Sequence, residues 1–431
     1  MRILLIGHGC APDSGSEPGI TWNWAANLAG MHDVWVITHA YFRPLIEEYL
    51  ARKSIPRLRF AYTERLGWWD PLRLPSTRWI RLHYHFWQKR VLQMAKELDA
   101  EHDFHLIHHV GWGTVSAPPL LWRLNKPFVW GPIGGGQTTP WRLLGSYGRS
   151  LPGEFLRTLR VLLLPYSPAL RRAASQAAAI LAANHETANI LQRVDATAPQ
   201  LFADVGVPPH LLKEPPPPRP TEGPFTVFWA ARLEARKGIS LCLDVARQVS
   251  DPNIRFVIAG DGPLASSARR QSSRLGLANR VTFLGPRPWR EIQALNRSAH
   301  VFLFTSIRDT LGTATLEALA GGAPVICIDH HGVGAHLPKE AAVKVPVGSA
   351  RKVAATMACA IEELAADRSR LAAMSRAARR YAETVTWDRR SAAMQAHYAA
   401  AVERWRRSQQ SQGPAELTAS PTALPSPADQ Q

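Results

Sequence analysis

Residues Ser306 to Ile326 read SIRDTLGTATLEALAGGAPVI, with Asp309 in a glycine-containing turn and Glu317 eight residues later. Short apolar, β-favouring runs flank the stretch, HVFLFT from His300 and APVICID after it. The carboxylates therefore sit on a strand, turn, helix, strand unit. Beyond the carboxyl ends of strands in open parallel sheets is where ligands bind, and N–H groups at the following helix start suit an anion. Two cations lie upstream, Arg232 and Lys237 in ARLEARKG, after a strand and around a helix start. An arginine fork and a lysine point charge together can neutralise a diphosphate. Between the cations and the carboxylates, Gly260 lies in the strand-end turn IAGDGP. Singly, such signals mark turns or solvated faces more often than sites; their order and spacing give them meaning.

The elements that must position these residues alternate along the chain. RILLIG, then the polar loop HGCAPDSGSEPG, then ITWNWAANLAG read as strand, loop and helix. DVWVITH, RLRFAY, HLIHHV, FVWGPIGGG and AAAILAAN continue the alternation. Strands joined by crossover helices imply a parallel sheet. Periodicity stops in GVPPHLLKEPPPPRPTEGPF and restarts with FTVFWAARL, RFVIAGDGP, RVTFLG, HVFLFTS and PVICID. The expected organisation is a domain over residues 1–206, a Pro-rich linker of polyproline II type over 207–224, a second domain over 225–385, a helix over 386–409, and a disordered tail over 410–431. The fold class is α/β, two doubly wound, Rossmann-like domains facing across a cleft.

A length of 431 residues favours two domains, and 46% hydrophobic with 20% charged residues is ordinary for a globular protein. The net charge of +17 points to anionic partners. The basic residues are dispersed, which leaves nucleic acid without support. Cys10, Cys242, Cys327 and Cys359 form no C-x-x-C pair, which disfavours a zinc site or disulfide framework and suits a cytoplasmic setting. No apolar run approaches the ~20 residues that span a bilayer. The segment Arg65 to Leu92 packs aromatics among arginines, either an interface-seeking surface or an Arg-decorated helix with a buried aromatic face.

ARLEARKG, IAGDGP and Asp309-x7-Glu317, in this order, resemble the nucleotide-sugar half of the retaining glycosyltransferases of family 4, which have the GT-B fold. In that family the carboxylate pair is E-x7-E, so Asp309 replaces a Glu, and GRLxxxKG appears here with Ala231 for its Gly. The resemblance implies that Glu317 accepts hydrogen bonds from ribose hydroxyls, that Asp309 holds donor-sugar hydroxyls, and that N–H groups of Thr310, Leu311 and Gly312 meet phosphate or sugar. Arg232 and Lys237 would stabilise the leaving diphosphate without a metal or other cofactor. DSGSEPGITWNW resembles a GSEPG-type loop of the same family, which implies that Gly15, Ser16, Glu17 and Gly19 line the cleft. In IHHVGWGT, His108 and His109 point to opposite faces of a strand. The resemblance favours His109 near the reacting sugar, and WGPIGGG, Trp130 to Gly136, on the acceptor edge.

The implied activity is retaining transfer from a UDP- or GDP-sugar to a saccharide or lipid-linked saccharide, in exopolysaccharide or envelope glycan synthesis, with peripheral contact to an anionic membrane at its inner face. Rival readings are an epimerase on the same fold and a nucleotide-sugar-binding protein without turnover.

Overall fold

Each of the two alternating stretches forms its own parallel sheet in the computed structural model of the chain, which describes residues 1–64, 80–194, 198–219 and 222–411. The first sheet comprises β1 (Arg2–Ile6), β2 (Asp33–His39), β3 (Leu58–Thr63), β4 (Leu106–His109), β5 (Phe128–Ile133), β6 (Ala179–Ala182) and β7 (Gln200–Leu201), in spatial order 3-2-1-4-5-6-7. The second comprises β8 (Phe225–Ala230), β9 (Ile254–Ala259), β10 (Val281–Gly285), β11 (Val301–Phe304), β12 (Val325–Ile328) and β13 (Ala342–Val345), in order 10-9-8-11-12-13. Both sheets are wholly parallel. Helices cover both faces of such a sheet, which is why its central strands are continuous apolar runs. VFLF in β11 and VICI in β12 are buried at every residue.

The winding reverses once in each sheet, between β1 and β4 and between β8 and β11. Crevices at such switch points are where doubly wound sheets bind ligands. The loops after β1 and β4 carry GSEPG and VGWGT, and those after β8 and β11 carry ARLEARKG and SIRDTLG. Topology therefore delivers the chemically interesting loops to one cleft.

Helix Trp387–Ser411 returns to the first sheet. Its Tyr398 hydroxyl lies 2.6 Å from Nδ1 of His108 in β4, and Trp387 stands edge-on to Trp24 with ring centroids 5.4 Å apart. Val207 N–H bonds to the Val385 carbonyl at 2.9 Å, so the two crossings between the halves run side by side. The proline segment after Val207 is anchored at its described end by Arg219, which donates to the Gly321 carbonyl at 2.7 Å. Residues 65–79 and 412–431 lie outside the described residues. These hold most of the aromatic and arginine stretch and nearly all of the expected tail. The remainder of that stretch belongs to helix Ile80–His102, where Tyr84 and Trp87 are buried and Leu82 and Phe86 are exposed.

Candidate functional site

Between the two halves lies a cleft of about 1260 Å³. The first half contributes Ser14, Gly15, Gly19, Trp22 and Asn23; the second contributes Trp289, Gln293, Thr313 and Glu317. Glu317 is on helix Thr313–Ala320, which begins four residues after Asp309 because Gly312, at φ +86°, turns the chain into it. Glu317 is 8% exposed, and its two oxygens accept hydrogen bonds from Trp289 Nε1 at 3.0 Å and Gln293 Nε2 at 2.9 Å. Burial raises its pKa above the ordinary carboxylate range, and the two donors pull against that shift. The result is an acceptor-rich group, held in one orientation, at the wall of the cavity.

Asp309 occupies a different place. It is not on the cavity wall; Lys237 Nζ donates to its Oδ2, and Arg236 Nη1 stands 3.7 Å from its Oδ1. Burial pushes the carboxyl up, but the two cations outweigh burial and hold its pKa below the usual value. Asp309 also accepts the Thr310 N–H at 3.1 Å and the Ser306 hydroxyl at 3.3 Å. The Thr310 amide, read from sequence as a ligand donor, is therefore engaged by its neighbour. Leu311 is fully buried and fixes the turn to the core. Arg232 projects outward, its side chain 67% exposed and 4.0 Å from Glu234. Gly260 has a structural reason to be glycine: its φ is +128°, and an added Cβ would fall 2.0 Å from the Ala231 carbonyl oxygen. That contact locks the turn after β9 against ARLEARKG.

On the first half, Gly15 precedes helix Ser16–Leu28 and lines the cavity. No atom within 4 Å would meet a Cβ at Gly15, so the fold does not demand glycine there. Glu17, in the first turn of that helix, is raised to about 7 by burial, against which the Trp112 and Gly113 amides act. His108 and His109 do face opposite sides of β4, but neither lines the cavity. His108 contacts Tyr398 and the Gly131 carbonyl, the latter at 2.6 Å; His109 Nε2 lies 2.9 Å from the Tyr84 hydroxyl. Burial lowers His108 to about 4 and His109 to about 3, so both are neutral imidazoles at neutral pH. His109 is thus buried between β4 and helix Ile80–His102, where the Tyr84 hydroxyl satisfies its Nε2.

The halves are tied directly at the turn after β11. Arg308 forms a forked pair with Glu154, at 3.0 and 3.1 Å, and both side chains are largely withdrawn from solvent. Gln137 Nε2 donates to Thr310 Oγ1 at 3.3 Å. Arg157 clamps the glycine loop by donating to the carbonyls of Gln137 and Gly135 at 2.8 and 3.2 Å. The WGPIGGG loop is consequently held in place against the Asp309 turn.

Residues 213–381 match the family model described as glycosyl transferases group 1. This region belongs to the group 1 glycosyltransferases. The whole chain has the GT-B fold: sucrose-phosphate synthase from Thermosynechococcus elongatus superposes with a TM-score of 0.64 at 18% identity, covering 92% of this chain and 98% of that one. Anabaena HepE, solved in complex with UDP-glucose, gives 0.58 at 17% identity, covering 95% and 100%. The gpi3 subunit of phosphatidylinositol N-acetylglucosaminyltransferase from Schizosaccharomyces pombe is 31% identical over 127 residues, which are 29% of this chain and 28% of that one. D-inositol 3-phosphate glycosyltransferase of Mycobacterium bovis is 28% identical over 206 residues, 43% of this chain and 39% of that one. The similarity thus spans well under half the length of either relative.

Four residues that matter to the group 1 region's geometry escaped the sequence reading. Arg236, adjacent to Lys237, was hidden in plain view within ARLEARKG. Trp289 and Gln293 hold Glu317 from helix Trp289–Ser298, and Glu154 holds Arg308 from the other half; no local spacing links any of these three to its partner.

Proposed function

We propose that the protein transfers a sugar from a UDP- or GDP-sugar to a saccharide or lipid-linked saccharide acceptor, with retention at the anomeric carbon, in exopolysaccharide or envelope glycan synthesis. The observation that carries this reading is Glu317: a carboxylate fixed by Trp289 and Gln293 on the wall of the cleft, one turn inside a helix whose first residue, Thr313, also faces the cleft. An ionised carboxylate with lone pairs to spare accepts ribose hydroxyls, while the helix start favours a diphosphate. Gly15, which nothing in the fold requires to be glycine, suits close approach of backbone to ligand on the opposite wall. The UDP-glucose complex of the HepE neighbour supports a nucleotide-sugar in this crevice.

In this reading Lys237 exchanges part of its contact with Asp309 for the diphosphate, and Arg232 adds a second positive charge from the rim. Asp309, then less tightly held, meets donor-sugar hydroxyls. The bond from anomeric carbon to phosphate oxygen breaks as the acceptor oxygen bonds the same face of that carbon. The acceptor's proton passes to the departing diphosphate. Stabilising that developing charge with fixed cations is the protein's largest contribution, and no metal is needed for it. The direct bonds between the halves beside the Asp309 turn keep water from the reacting centre.

The test is product analysis with UDP- and GDP-sugars, with and without a lipid extract from a bacterial envelope as acceptor. Donor consumption that depends on the acceptor, and an α-linked product from an α-linked donor by NMR, are expected. Interconversion of the donor's sugar without acceptor would instead identify an epimerase.

A further inference from the structure

We propose that residues 141–172 form a docking surface for an anionic lipid bilayer. Helix Leu151–Leu163 is amphipathic in the reverse sense to an ordinary surface helix. Its inner face carries Glu154 and Val161, both buried, with Arg157 and Thr158 half-buried between them. Its outer face carries Leu151, Phe155, Leu156, Leu159, Leu162 and Leu163, each between 37% and 64% exposed. Trp141 before it is 75% exposed and Tyr166 after it 80%. A contiguous apolar face of this size on a protein surface marks an interaction site.

Charge decides between occupants. From Trp141 to Arg172 the only acidic residue is Glu154, and Arg308 neutralises it on the inner face. Arg142, Arg149, Arg160, Arg171 and Arg172 are exposed and have no acidic partner among the described residues. Arginines before, on and after an apolar helix face, with an exposed Trp at the start of the preceding segment and an exposed Tyr three residues past the helix, suit an anionic bilayer surface, where rings sit at headgroup depth and leucines below. A second copy of this chain would have to bring the same arginines against their own kind, which opposes a self-complementary contact. Arg142 already rests over the Trp141 ring at 5.0 Å, a pairing that keeps the charge on the aromatic face.

The inner face adds a consequence. Through Glu154 on its inner face the docking helix is bonded to Arg308 in the turn that carries Asp309, so a lipid-borne acceptor on the outer face lies about one helix diameter, roughly 10 Å, from the donor turn. The surface rests on exposure and charge, and the proposed transfer reaction is needed only for this last point.

The experiment is vesicle flotation of the full chain without donor, using phosphatidylcholine alone and phosphatidylcholine mixed with phosphatidylglycerol, at low and high salt. The wild type is expected to float with the anionic vesicles at low salt and less at high salt. Phe155→Glu with Leu159→Glu should abolish flotation, and Arg171→Gln with Arg172→Gln should weaken it roughly fivefold per arginine removed. Circular dichroism melts of the variants should overlay the wild type, because the altered side chains are exposed. Nucleotide binding by the same samples is read separately, so loss of one does not imply loss of the other. A wild type that stays in solution with anionic vesicles, or a double glutamate variant that floats as well as the wild type, overturns the proposal. So does a dimer by light scattering that the double glutamate variant dissolves, since the face would then be covered by a second copy.

Discussion

The two halves of the molecule are built on the same topology but treat buried charge differently. The second half pairs Asp309 with two cations, Lys237 and Arg236, and holds Glu317 under two neutral donors. Around its switch point the first half holds histidines in their neutral forms, while its Glu154 is paired with Arg308 where the halves meet. His108 and His109 are drawn down to about 4 and about 3 by burial, and His8 well below its ordinary value by burial beside His39 and His83. Glu17 and Asp204, raised to about 7 by burial, are close to half-protonated at neutral pH. The difference teaches how such a cleft divides labour. A paired ion can exchange a protein partner for a ligand, whereas buried neutral groups hold shape, which in the proposed reaction leaves the charge of the diphosphate to the second half.

The sharpest break in this comparison comes from Lys237. Lys237→Ala should lower transfer by about 100- to 1,000-fold, as loss of a fixed cation at a developing charge does. It also leaves the buried Asp309 to Arg236 alone, costing about 1.5–3 kcal/mol of stability for the lost charge-assisted hydrogen bond. Lys237→Ala combined with Asp309→Asn should recover most of that stability in urea unfolding but none of the rate. Glu317→Ala comes next, weakening nucleotide binding by about 30- to 100-fold through loss of a charge-assisted hydrogen bond of about 2–3 kcal/mol. Glu154→Gln leaves Arg308 without its counter-charge where the halves meet, and a loss of about 3 kcal/mol is expected in the same unfolding assay.

A pH series sharpens the neutral side. Glu17 and Asp204 bind protons more tightly folded than unfolded, so between the ordinary carboxylate value near 4 and about 7 the native state carries the extra protons. Their contribution to stability is fully present below pH ~4 and is lost as pH rises through about 7. The buried histidines act with the opposite sign, their contribution rising with pH up to about 6.5, so the carboxylate effect is read as a difference: in chemical unfolding, Glu17→Gln should gain stability relative to the wild type as pH rises from about 4 to about 7. The smallest effect is on the histidine wall: Tyr84→Phe removes one buried hydrogen bond to His109 and should cost about 1 kcal/mol, with little change in nucleotide affinity.

The same contrast explains what could be read from sequence. The second wall was legible because its parts are local: a carboxylate pair on one turn and helix, and cations after one strand, with strands that are unbroken apolar runs. The parallel sheets and their order of elements followed from that alternation. What was not legible arises from contacts between distant segments. Nothing near Glu317 in the chain announces Trp289 or Gln293, and nothing near Arg308 announces Glu154. The surroundings of the histidines were illegible for the same reason. Alternation along β4 separates His108 from His109, but Tyr84, from a helix more than twenty residues upstream, decides what His109 touches. The Arg236 contact with Asp309 was within reach, since it adjoins Lys237, yet only the turn geometry distinguishes it from a solvated arginine.

The most direct test of the nucleotide-sugar site is calorimetric titration of UDP and GDP into the wild type, Glu317→Gln and Tyr84→Phe. Glu317→Gln keeps the side chain's shape and removes its charge. The expected result is that one nucleoside diphosphate binds the wild type and Tyr84→Phe alike, while Glu317→Gln loses at least about tenfold in affinity, the equivalent of about 1.4 kcal/mol. Equal binding by the wild type and Glu317→Gln, or no binding of either nucleotide, would contradict the assignment of Glu317 as the group that holds the donor.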